Sequence, residues 1–377
     1  MSDAAVALTH GADNAPMDLA LRMAGAALVA LALADVFFTV LYARAGAGVL
    51  TPRLNRWTWR ALILVSGRRG HRRDKLLALG GPLMLVQTAC LWFTLLVTGT
   101  ALLVWPSMGE GVQAGQGATP TDFNAALYFA GYSLTTLGTG DLVPRTDFTR
   151  AVMVGAALVG FSVLTLTLTY FMSVYGALER RNALAQGLHH LSGASGDPLE
   201  LLEHLAGDGR LPDRVGDLTA IGLGLLDLLE SHHAYPVLHY FRWPDRRYAL
   251  ARIALLAIEP VTLMRSGVAG EPLSRAAPVV LMYSGATDLL KQTASALPGD
   301  DPDRDEPADE AEARVRFAAA LSCLARFGIA PDRDHDEVLR RYRELSTPWR
   351  RRARAFANAM GHDWDEIEPS RTAHEGS

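Results

Sequence analysis

The stretch that decides the fold lies between residues 121 and 144 and reads TDFNAALYFAGYSLTTLGTGDLVP. Its first half is apolar and follows Pro120, so Thr121 or Asp122 can cap a short helix. Such a helix is too short to cross a bilayer core about 30 Å thick, which requires roughly 20 residues. We therefore predict a re-entrant helix that dips into the membrane and returns, and the negative end of its dipole favours a cation.

The second half of this stretch places two glycines two residues apart, Gly138 and Gly140. In an extended chain, successive carbonyl groups point to opposite sides. If carbonyl oxygens are to replace the water that a cation loses on entering a filter, these carbonyl groups must all face one axis. Alternate residues at unusual φ achieve this, and glycine adopts such φ at little cost. The spacing therefore predicts a column of backbone ligands, to which the Thr136 hydroxyl adds an inner ring and Asp141 a negative outer mouth.

Three apolar stretches near this segment are long enough to span a bilayer. They run from about Leu19 to Tyr42, from about Leu76 to Trp105 and from about Phe148 to Leu178. The first contains an acid, Asp35, and a carboxylate inside a membrane requires a partner. We expect that partner to be either Arg22 of a neighbouring chain or an arginine of the loop after this span.

Positive charge is concentrated between the first two spans, where nine basic residues between positions 44 and 75 accompany Asp74 alone. By the positive-inside rule this loop is cytoplasmic, so the N-terminal tail and the loop at 106–147 lie outside. The long segment after the third span then lies inside. This orientation does not use the re-entrant segment, yet it places that segment at the outer face.

On these residues the sequence resembles the pore-loop potassium channels, whose filter reads Thr-Val/Ile-Gly-Tyr/Phe-Gly-Asp. The matching stretch is Thr135 to Asp141, and with its flanking spans the resemblance covers residues 76–180. It implies an ion-binding filter formed by Thr136, Leu137, Gly138, Thr139 and Gly140. The first four of these five residues are expected to hold K⁺, the permeant ion. Because such a filter needs four loops around an axis and one chain carries one loop, the resemblance also implies a homotetramer.

Two positions depart from the family pattern. Thr139 replaces an aromatic residue whose ring packs against pore-helix aromatics and sets the filter width, although Tyr128 and Phe129 occupy the positions of those aromatics. Tyr132 stands where a glutamate often backs the filter. Three functions stay open: a potassium channel, a weakly selective Na⁺/K⁺ channel, and a non-conducting sensor or scaffold that uses the pore domain to oligomerise.

The third span carries Gly160, twenty residues after Gly140, where related inner helices have a hinge glycine. Close helix packing is the alternative role for a glycine at this position. Below it, hydroxyl residues recur at three- and four-residue spacing on one helical face: Ser162, Thr165, Thr169 and Ser173. They can line a water-filled cavity beneath the filter, or they can hydrogen-bond to their own backbone.

Beyond residue 180 the apolar periodicity is helical, and alternating strand patterns do not occur in the sequence. The predicted helices cover residues 198–206, 215–232, 246–264, 274–297, 308–327 and 334–360. Acids between residues 301 and 312 have the spacing of an EF-hand loop, but Glu306 occupies the position that needs glycine. We interpret this segment as an acidic linker near 298–310.

Composition disfavours other classes of protein. The formal net charge of −4 does not suggest a nucleic-acid partner, and the two cysteines form neither a disulfide framework nor a metal-ligand pattern. The tail offers no nucleophile–base pair, so we expect no enzyme activity and no cofactor. The expected partners are further copies of the chain and the lipid bilayer, with anionic lipid at the basic loop. Ala- and Arg-rich usage is typical of a GC-rich bacterial genome. For a bacterial chain with these spans, we expect the inner (plasma) membrane.

The sequence thus predicts an all-α membrane protein with three transmembrane helices, a re-entrant pore helix and filter, and an α-helical cytoplasmic domain. An extracytoplasmic tail (1–17) and the first transmembrane helix (18–43) precede a basic cytoplasmic loop (44–75). That loop contains an interfacial helix with Trp57 and Trp59 at headgroup level, or else a connecting helix in contact with the tail. The pore domain (76–180) and the cytoplasmic domain (181–377) follow, in a multi-pass chain with its N-terminus outside.

Overall fold

The structure of the chain, a computed structural model, describes residues 3–42, 48–67, 70–207, 215–268, 270–296, 310–327, 329 and 334–368. Within these ranges its regular structure is helical, apart from one two-stranded antiparallel ribbon. This confirms the predicted fold class, an all-α membrane protein with a helical C-terminal part. The predicted acidic linker and its EF-hand-like spacing fall largely on residues 297–309, which are outside the described ranges.

Long helices dominate the first half of the chain. They are α1 (Asp3–Val36), which continues as a π-helical turn (Phe37–Leu41), α2 (Thr51–Ser66), α3 (His71–Ala78), α4 (Gly80–Val104), α5 (Phe123–Leu134) and α6 (Asp147–Leu191). Two short strands lie before and after α5, namely β1 (Val112–Ala114) and β2 (Leu142–Pro144). They pair antiparallel, with Val112 opposite Pro144 and Ala114 opposite Leu142.

Three helical stretches among the described residues are long and apolar enough to cross a bilayer. They are Ala15–Leu41, Arg72–Ser107 and Asp147–Leu191. The three predicted transmembrane helices are therefore confirmed. The third stretch belongs to a helix of 45 residues, which is longer than the roughly 20 that a bilayer needs.

By contact the chain divides into two compact units. The membrane unit comprises Met1–Asn55 and Leu83–Ser173, and the C-terminal unit comprises Arg56–Pro82 and Val174–Ser377. Each unit has its own buried core, and the two are described separately below.

In the membrane unit, α1 and α4 approach each other closely because each has a glycine at the crossing. A Cβ atom on Gly25 would lie 2.5 Å from the Gly99 carbonyl oxygen, and a Cβ on Gly99 would lie 2.8 Å from the Gly25 oxygen. Small residues at such crossings let two backbones meet, which is the usual basis of helix packing in membranes. The core beside this crossing contains the fully buried Trp92.

The buried Asp35 of α1 is held by neutral donors, and no arginine among the described residues of the chain bonds to it. The backbone N–H groups of Leu50 and Thr51 donate to its Oδ1 at 2.6 and 3.3 Å. The Thr51 hydroxyl and the Trp92 indole N–H donate to its Oδ2 at 2.5 and 2.8 Å. Asp35 therefore anchors the start of α2 and ties α1 to α4. Arg22 instead donates to Ser107 Oγ at 3.1 Å. Pairing of Asp35 with Arg22 of a neighbouring chain stays a prediction.

The C-terminal unit is built from the remaining helices. They are α7 (Pro198–Ala206), α8 (Val215–Ala234), α9 (Leu250–Ser266), α10 (Glu271–Ser274), α11 (Ala277–Ala296), α12 (Glu310–Ala325), α13 (His335–Ala359) and α14 (Trp364–Ile367). Helix α9 is buried along almost its whole length and packs against α7, α11 and α13, while α11 also packs against α8. The observed helices lie close to the predicted ranges throughout.

A buried polar network fixes α13 onto the central α9. Arg350 donates to Glu259 Oε2 at 2.7 Å and to both carboxylate oxygens of Glu368 at 2.9 to 3.0 Å. The Tyr342 hydroxyl donates to the second oxygen of Glu259 at 2.5 Å. Because each buried charge has a bonded partner, the network avoids the cost of an isolated buried ion. Burial nevertheless raises the pKa of Glu259, and the charge of Arg350 opposes that shift.

Helix α2 carries two tryptophans with different environments. Trp57 is 71% exposed, as expected of a ring at a membrane interface, whereas Trp59 is fully buried. The Trp59 indole N–H donates to the carbonyl of Ala359 at 3.1 Å, and its ring lies against Tyr240. The prediction that both rings lie at headgroup level is thus wrong for Trp59, whose contacts instead match the alternative of a helix in contact with the tail.

Candidate ion pathway

Helix α5 is short, capped and buried, as the sequence predicts. Asp122 adopts an extended conformation before the helix, and its carboxylate accepts from the backbone N–H of Ala125 at 3.0 Å. This satisfies one of the free N–H groups of the first turn. The side chains of Ala126, Phe129 and Ala130 are fully buried. Twelve residues give a length of about 18 Å, which is too short to cross a bilayer core.

The backbone after α5 alternates in handedness. Thr136, Gly138 and Gly140 have φ of 58°, 59° and 77°, while Leu137 and Thr139 between them do not have positive φ. This alternation turns successive carbonyl groups toward the same side of an extended chain. The glycines were expected to allow it, whereas a β-branched threonine in the left-handed region is unusual. Thr136 therefore holds a strained backbone conformation that the chain around it must stabilise.

Residues 135–141 are exposed within the single chain. Leu137 is 70% exposed, which is a large value for an apolar side chain. The start of the segment is tied back to the helix through bonds from the Thr136 and Leu137 N–H groups to the carbonyls of Ser133 and Tyr132 at 3.2 and 3.0 Å. The segment thus leaves its backbone and its Leu137 side chain exposed in the single chain.

Tyr132 connects the end of α5 to the segment that follows the filter. Its hydroxyl donates to the carbonyl of Leu142 at 2.5 Å, and its ring meets those of Tyr128 and Phe129 edge-on at 5.4 and 5.3 Å. The ribbon of β1 and β2 holds Leu142 from its other side, since it pairs with Ala114. The sequence shows Tyr132 but not its hydrogen bond to Leu142. It also does not predict β1 and β2, because strands of three residues are too short to show an alternating hydrophobic pattern.

Asp141 lies beside the last filter residues and is fully exposed. The Thr139 hydroxyl donates to its carboxylate at 2.5 Å. This hydrogen bond is the main reason that the pKa of Asp141 lies below its ordinary value, and the Tyr128 hydroxyl adds to the shift. Asp141 is therefore an anion at neutral pH. Thr139, which occupies the position of an aromatic residue in the potassium channels that the sequence resembles, is thus hydrogen-bonded to Asp141.

Gly160 of α6 lies directly against the end of α5. A Cβ atom at this position would lie 1.9 Å from the carbonyl oxygen of Leu134, which is far inside van der Waals contact. Close packing therefore requires glycine here. The role of Gly160 as a hinge stays a prediction, since α6 runs from Asp147 to Leu191 as one helix.

The hydroxyl residues below Gly160 bond to their own helix. Thr165, Thr169 and Ser173 donate to the carbonyls four residues earlier at 2.9, 3.0 and 2.9 Å. Thr165 and Thr169 are exposed in the single chain. Ser162 instead lines an apolar groove of about 280 Å³ with residues of α1 and α6, among them Val36 and Val159. The four residues thus do not share one environment within the chain, and their place in a cavity stays a prediction.

Comparison with known proteins gives two matches. A family model described as "Ion channel" matches residues 87–176, the part that contains α5, the filter segment and most of the spanning part of α6. The uncharacterized membrane protein YdjJ of Bacillus subtilis (strain 168) is 28% identical over 247 residues, which cover 65% of this chain and 70% of that protein. No solved structure matches the chain significantly. The chain is therefore a membrane protein whose residues 87–176 match a model of an ion channel domain.

Proposed function

We propose that four copies of this chain assemble around an axis and conduct K⁺ passively through a filter formed by Thr136 to Gly140. A pore of this type needs four filter segments, and each chain supplies one. The backbone carbonyls from Thr136 to Thr139 would replace the water around the ion. Transport of this kind has no chemical step and requires no catalytic residue.

The observation that carries this proposal is the alternation of positive φ at Thr136, Gly138 and Gly140 along an exposed segment. A glycine turn in a non-conducting protein would need left-handed φ at one or two residues, not at every second residue over five. The cost of placing Thr136 in this region supports a functional reason for it. Exposure of the segment within one chain fits a site that four chains complete.

Outside the filter, the charge on Asp141 supports cation entry. Four such carboxylates around an axis would raise the local cation concentration. The bond from Thr139 to Asp141 supports a further role, because it restrains the filter at the residue that lacks an aromatic ring. In this proposal a hydrogen bond replaces ring packing as the lateral support of the filter.

The placement of the chain follows from its charges. The basic stretch at 44–75 lies on the cytoplasmic side, the filter opens outward, and the C-terminal unit is cytoplasmic. The membrane is the inner membrane of a bacterium. The exposed Trp57 and the arginines of the same helix support contact with anionic lipid headgroups.

A weakly selective Na⁺/K⁺ pathway is the second candidate, and Thr139 favours it. Selectivity requires that the filter resist closing around a smaller ion, or that it hold a fixed number of carbonyl ligands. Thr139 offers one hydrogen bond where an aromatic ring offers extensive packing. The two candidates differ in selectivity and share the same pore.

Reversal potentials of the purified protein in planar bilayers distinguish these candidates. With opposed tenfold gradients of K⁺ and Na⁺, a K⁺-selective pore reverses near the K⁺ equilibrium potential, about 59 mV from zero. A non-selective pore reverses near zero with clear current. In that case Thr139→Tyr is the substitution that tests whether a ring restores selectivity.

A pair of glycine variants tests whether the filter carries the current at all. Gly138 and Gly117 both have positive φ, and a Cβ on either would meet nothing within 4 Å in the single chain, so alanine strains both backbones similarly. We expect Gly138→Ala to abolish or strongly alter conduction and Gly117→Ala to leave it intact. Intact tetramers of the unmodified protein that never pass current would instead support the scaffold function.

A further inference from the structure

A small cavity lies in the C-terminal unit. It has a volume of about 10 Å³, roughly the space for one water-sized occupant. Its polar lining consists of two arginines and two histidines: Arg181, His239, Arg242 and His362. The remaining lining is apolar and includes Phe241, Phe356 and Met360. Each of the four polar side chains belongs to a residue that is more than nine-tenths buried.

These buried side chains carry nitrogen atoms without a hydrogen-bond partner among the described residues. They are Nε of Arg181, Nη1 of Arg242, Nδ1 of His362 and Nε2 of His239. His362 accepts from Arg242 Nε through its Nε2 at 3.3 Å, so its Nδ1 bears the proton and is a donor. Buried donors are almost always paired in folded proteins. Three unpaired N–H donors around one cavity therefore indicate an occupant that accepts hydrogen bonds.

The charges of the side chains around the cavity indicate whether that occupant is neutral or an anion. Arg242 is paired with Asp74, whose Oδ1 lies 2.6 Å from Nη2. Arg181 has no carboxylate partner among the described residues and donates only to the carbonyls of Leu238 and Phe241, at 3.3 and 3.1 Å. Burial lowers the pKa of His239 to about 4 and that of His362 to about 3, so both rings are neutral at pH 7. The cluster thus retains one uncompensated positive charge, that of Arg181.

We propose that this cavity binds a single small monovalent anion of the halide type, held by Arg181, Arg242 and His362. A water molecule could accept the same hydrogen bonds, but it would leave the buried charge of Arg181 uncompensated. A phosphate or carboxylate group has several heavy atoms, whereas the space open to the centre of a water-sized sphere in this cavity is about 10 Å³. A halide is only slightly larger than water, and the flexible Met360 side chain can make room for it.

The anion would join three parts of the C-terminal unit. Arg181 lies on α6, Arg242 follows the short helical segment Pro236–Tyr240, and His362 lies between α13 and α14. Bound anion would therefore stabilise the packing of these elements. The site does not depend on the proposed conduction, because a non-conducting protein with the same fold would contain it.

The first test locates the anion in the unmodified full-length protein. Crystals grown in KBr should show an anomalous bromide peak between Arg181, Arg242 and His362. Bromide at surface positions alone, or density in the cavity that carries no anomalous signal and fits a water, would overturn the proposal.

The second test measures thermal unfolding of the full-length protein in detergent. Potassium gluconate is replaced by KBr at constant ionic strength, so that K⁺ concentration is constant. Ligand that binds only the folded state raises Tm with saturation, and we expect a rise of about 2 to 4 °C. An equal Tm in both salts would contradict the site.

Neighbouring arginines supply the matched variants. Arg181→Gln should abolish the bromide-dependent rise in Tm, because it removes the uncompensated charge. Arg180→Gln should retain the rise, since Arg180 is half-exposed and pairs with Asp227 at 2.9 Å. A rise that survives in Arg181→Gln would refute the assignment. If Arg181→Gln does not fold, the position of bromide in the unmodified protein decides.

Discussion

Replacing Asp35 with asparagine removes the charge of the carboxylate that joins α1 to α2 and α4. The amide keeps one oxygen, which can still accept from the N–H groups of Leu50 and Thr51. Its NH₂ group then faces the Thr51 hydroxyl and the Trp92 indole N–H. The hydroxyl can rotate and accept, whereas the indole N–H is a donor only and loses its acceptor.

The expected magnitude follows from this one orphaned group. A buried donor without a partner costs about 1 to 3 kcal/mol, and hydrogen bonds to a charged acceptor lie in the upper part of that range. We therefore expect Asp35→Asn to lower the free energy of unfolding by about 2 to 3 kcal/mol. In the background of Trp92→Phe, which has no indole N–H, the same substitution should cost about 1 to 2 kcal/mol less.

The assay is a double-mutant cycle on the free energy of unfolding, measured by circular dichroism during denaturant titration in detergent micelles. Asp147→Asn serves as a control, because Asp147 is exposed and pairs with the exposed Arg150. It should change stability by less than about 0.5 kcal/mol. Effects of Asp35→Asn and Trp92→Phe that add within about 0.5 kcal/mol would refute the coupling of these two residues.

Three further substitutions test the proposed pore. Gly160→Ala should lower the free energy of unfolding by about 1 to 3 kcal/mol or more, because the added methyl group overpacks the contact with α5. Gly155→Ala on the same helix meets nothing within 4 Å and should be neutral or stabilising by up to about 1 kcal/mol. Thermal unfolding in detergent compares the two variants. Thr139→Val removes the hydrogen bond that lowers the pKa of Asp141, and the pKa of Asp141 should therefore rise. As the pH is lowered, the outer mouth then loses its negative charge earlier, and single-channel conductance should begin to fall at a higher pH than in the unmodified channel. Tyr132→Phe leaves a buried carbonyl without a donor, which should cost about 1 to 3 kcal/mol and shift the reversal potential toward zero.

Each of these predictions has a result that contradicts it. Equal stability of the Gly160→Ala and Gly155→Ala proteins would mean that α5 and α6 do not meet as closely as described. Identical pH profiles for Thr139→Val and the unmodified channel would show that the Asp141 charge does not depend on that hydroxyl. An unchanged reversal potential in Tyr132→Phe would remove the bond to Leu142 from the account of selectivity.

The elements of the fold were predictable where one physical signal dominates. Membrane spans require long apolar runs, and the three predicted runs correspond to the observed helices. In the C-terminal unit, apolar periodicity predicted α7 at residues 198–206, and the helix occupies Pro198–Ala206. The capping acid Asp122 was also predictable, because a cap bonds to residues adjacent in sequence.

What the sequence did not reveal depends on contacts between distant residues. Asp35 and Trp92 are 57 positions apart, and nothing in the local pattern pairs them. The positive φ of Thr136 went unpredicted because propensity assigns that conformation to glycine. Likewise, Arg350 belongs to an arginine-rich part of α13, where a charge is ordinarily exposed, but it lies in the core with Glu259 because tertiary pairing outweighs that preference.

The bonds of Asp35 also bear on how the chain enters the membrane during synthesis. The ribosome delivers the first span, with its carboxylate, well before Trp92 has been made, and an aspartate within a span opposes lateral release into lipid. Leu50 and Thr51 are made soon afterwards and can satisfy part of the carboxylate, but the last donor arrives only with the second span. The first two spans are therefore expected to leave the insertion machinery together, as a helical hairpin, rather than one after the other.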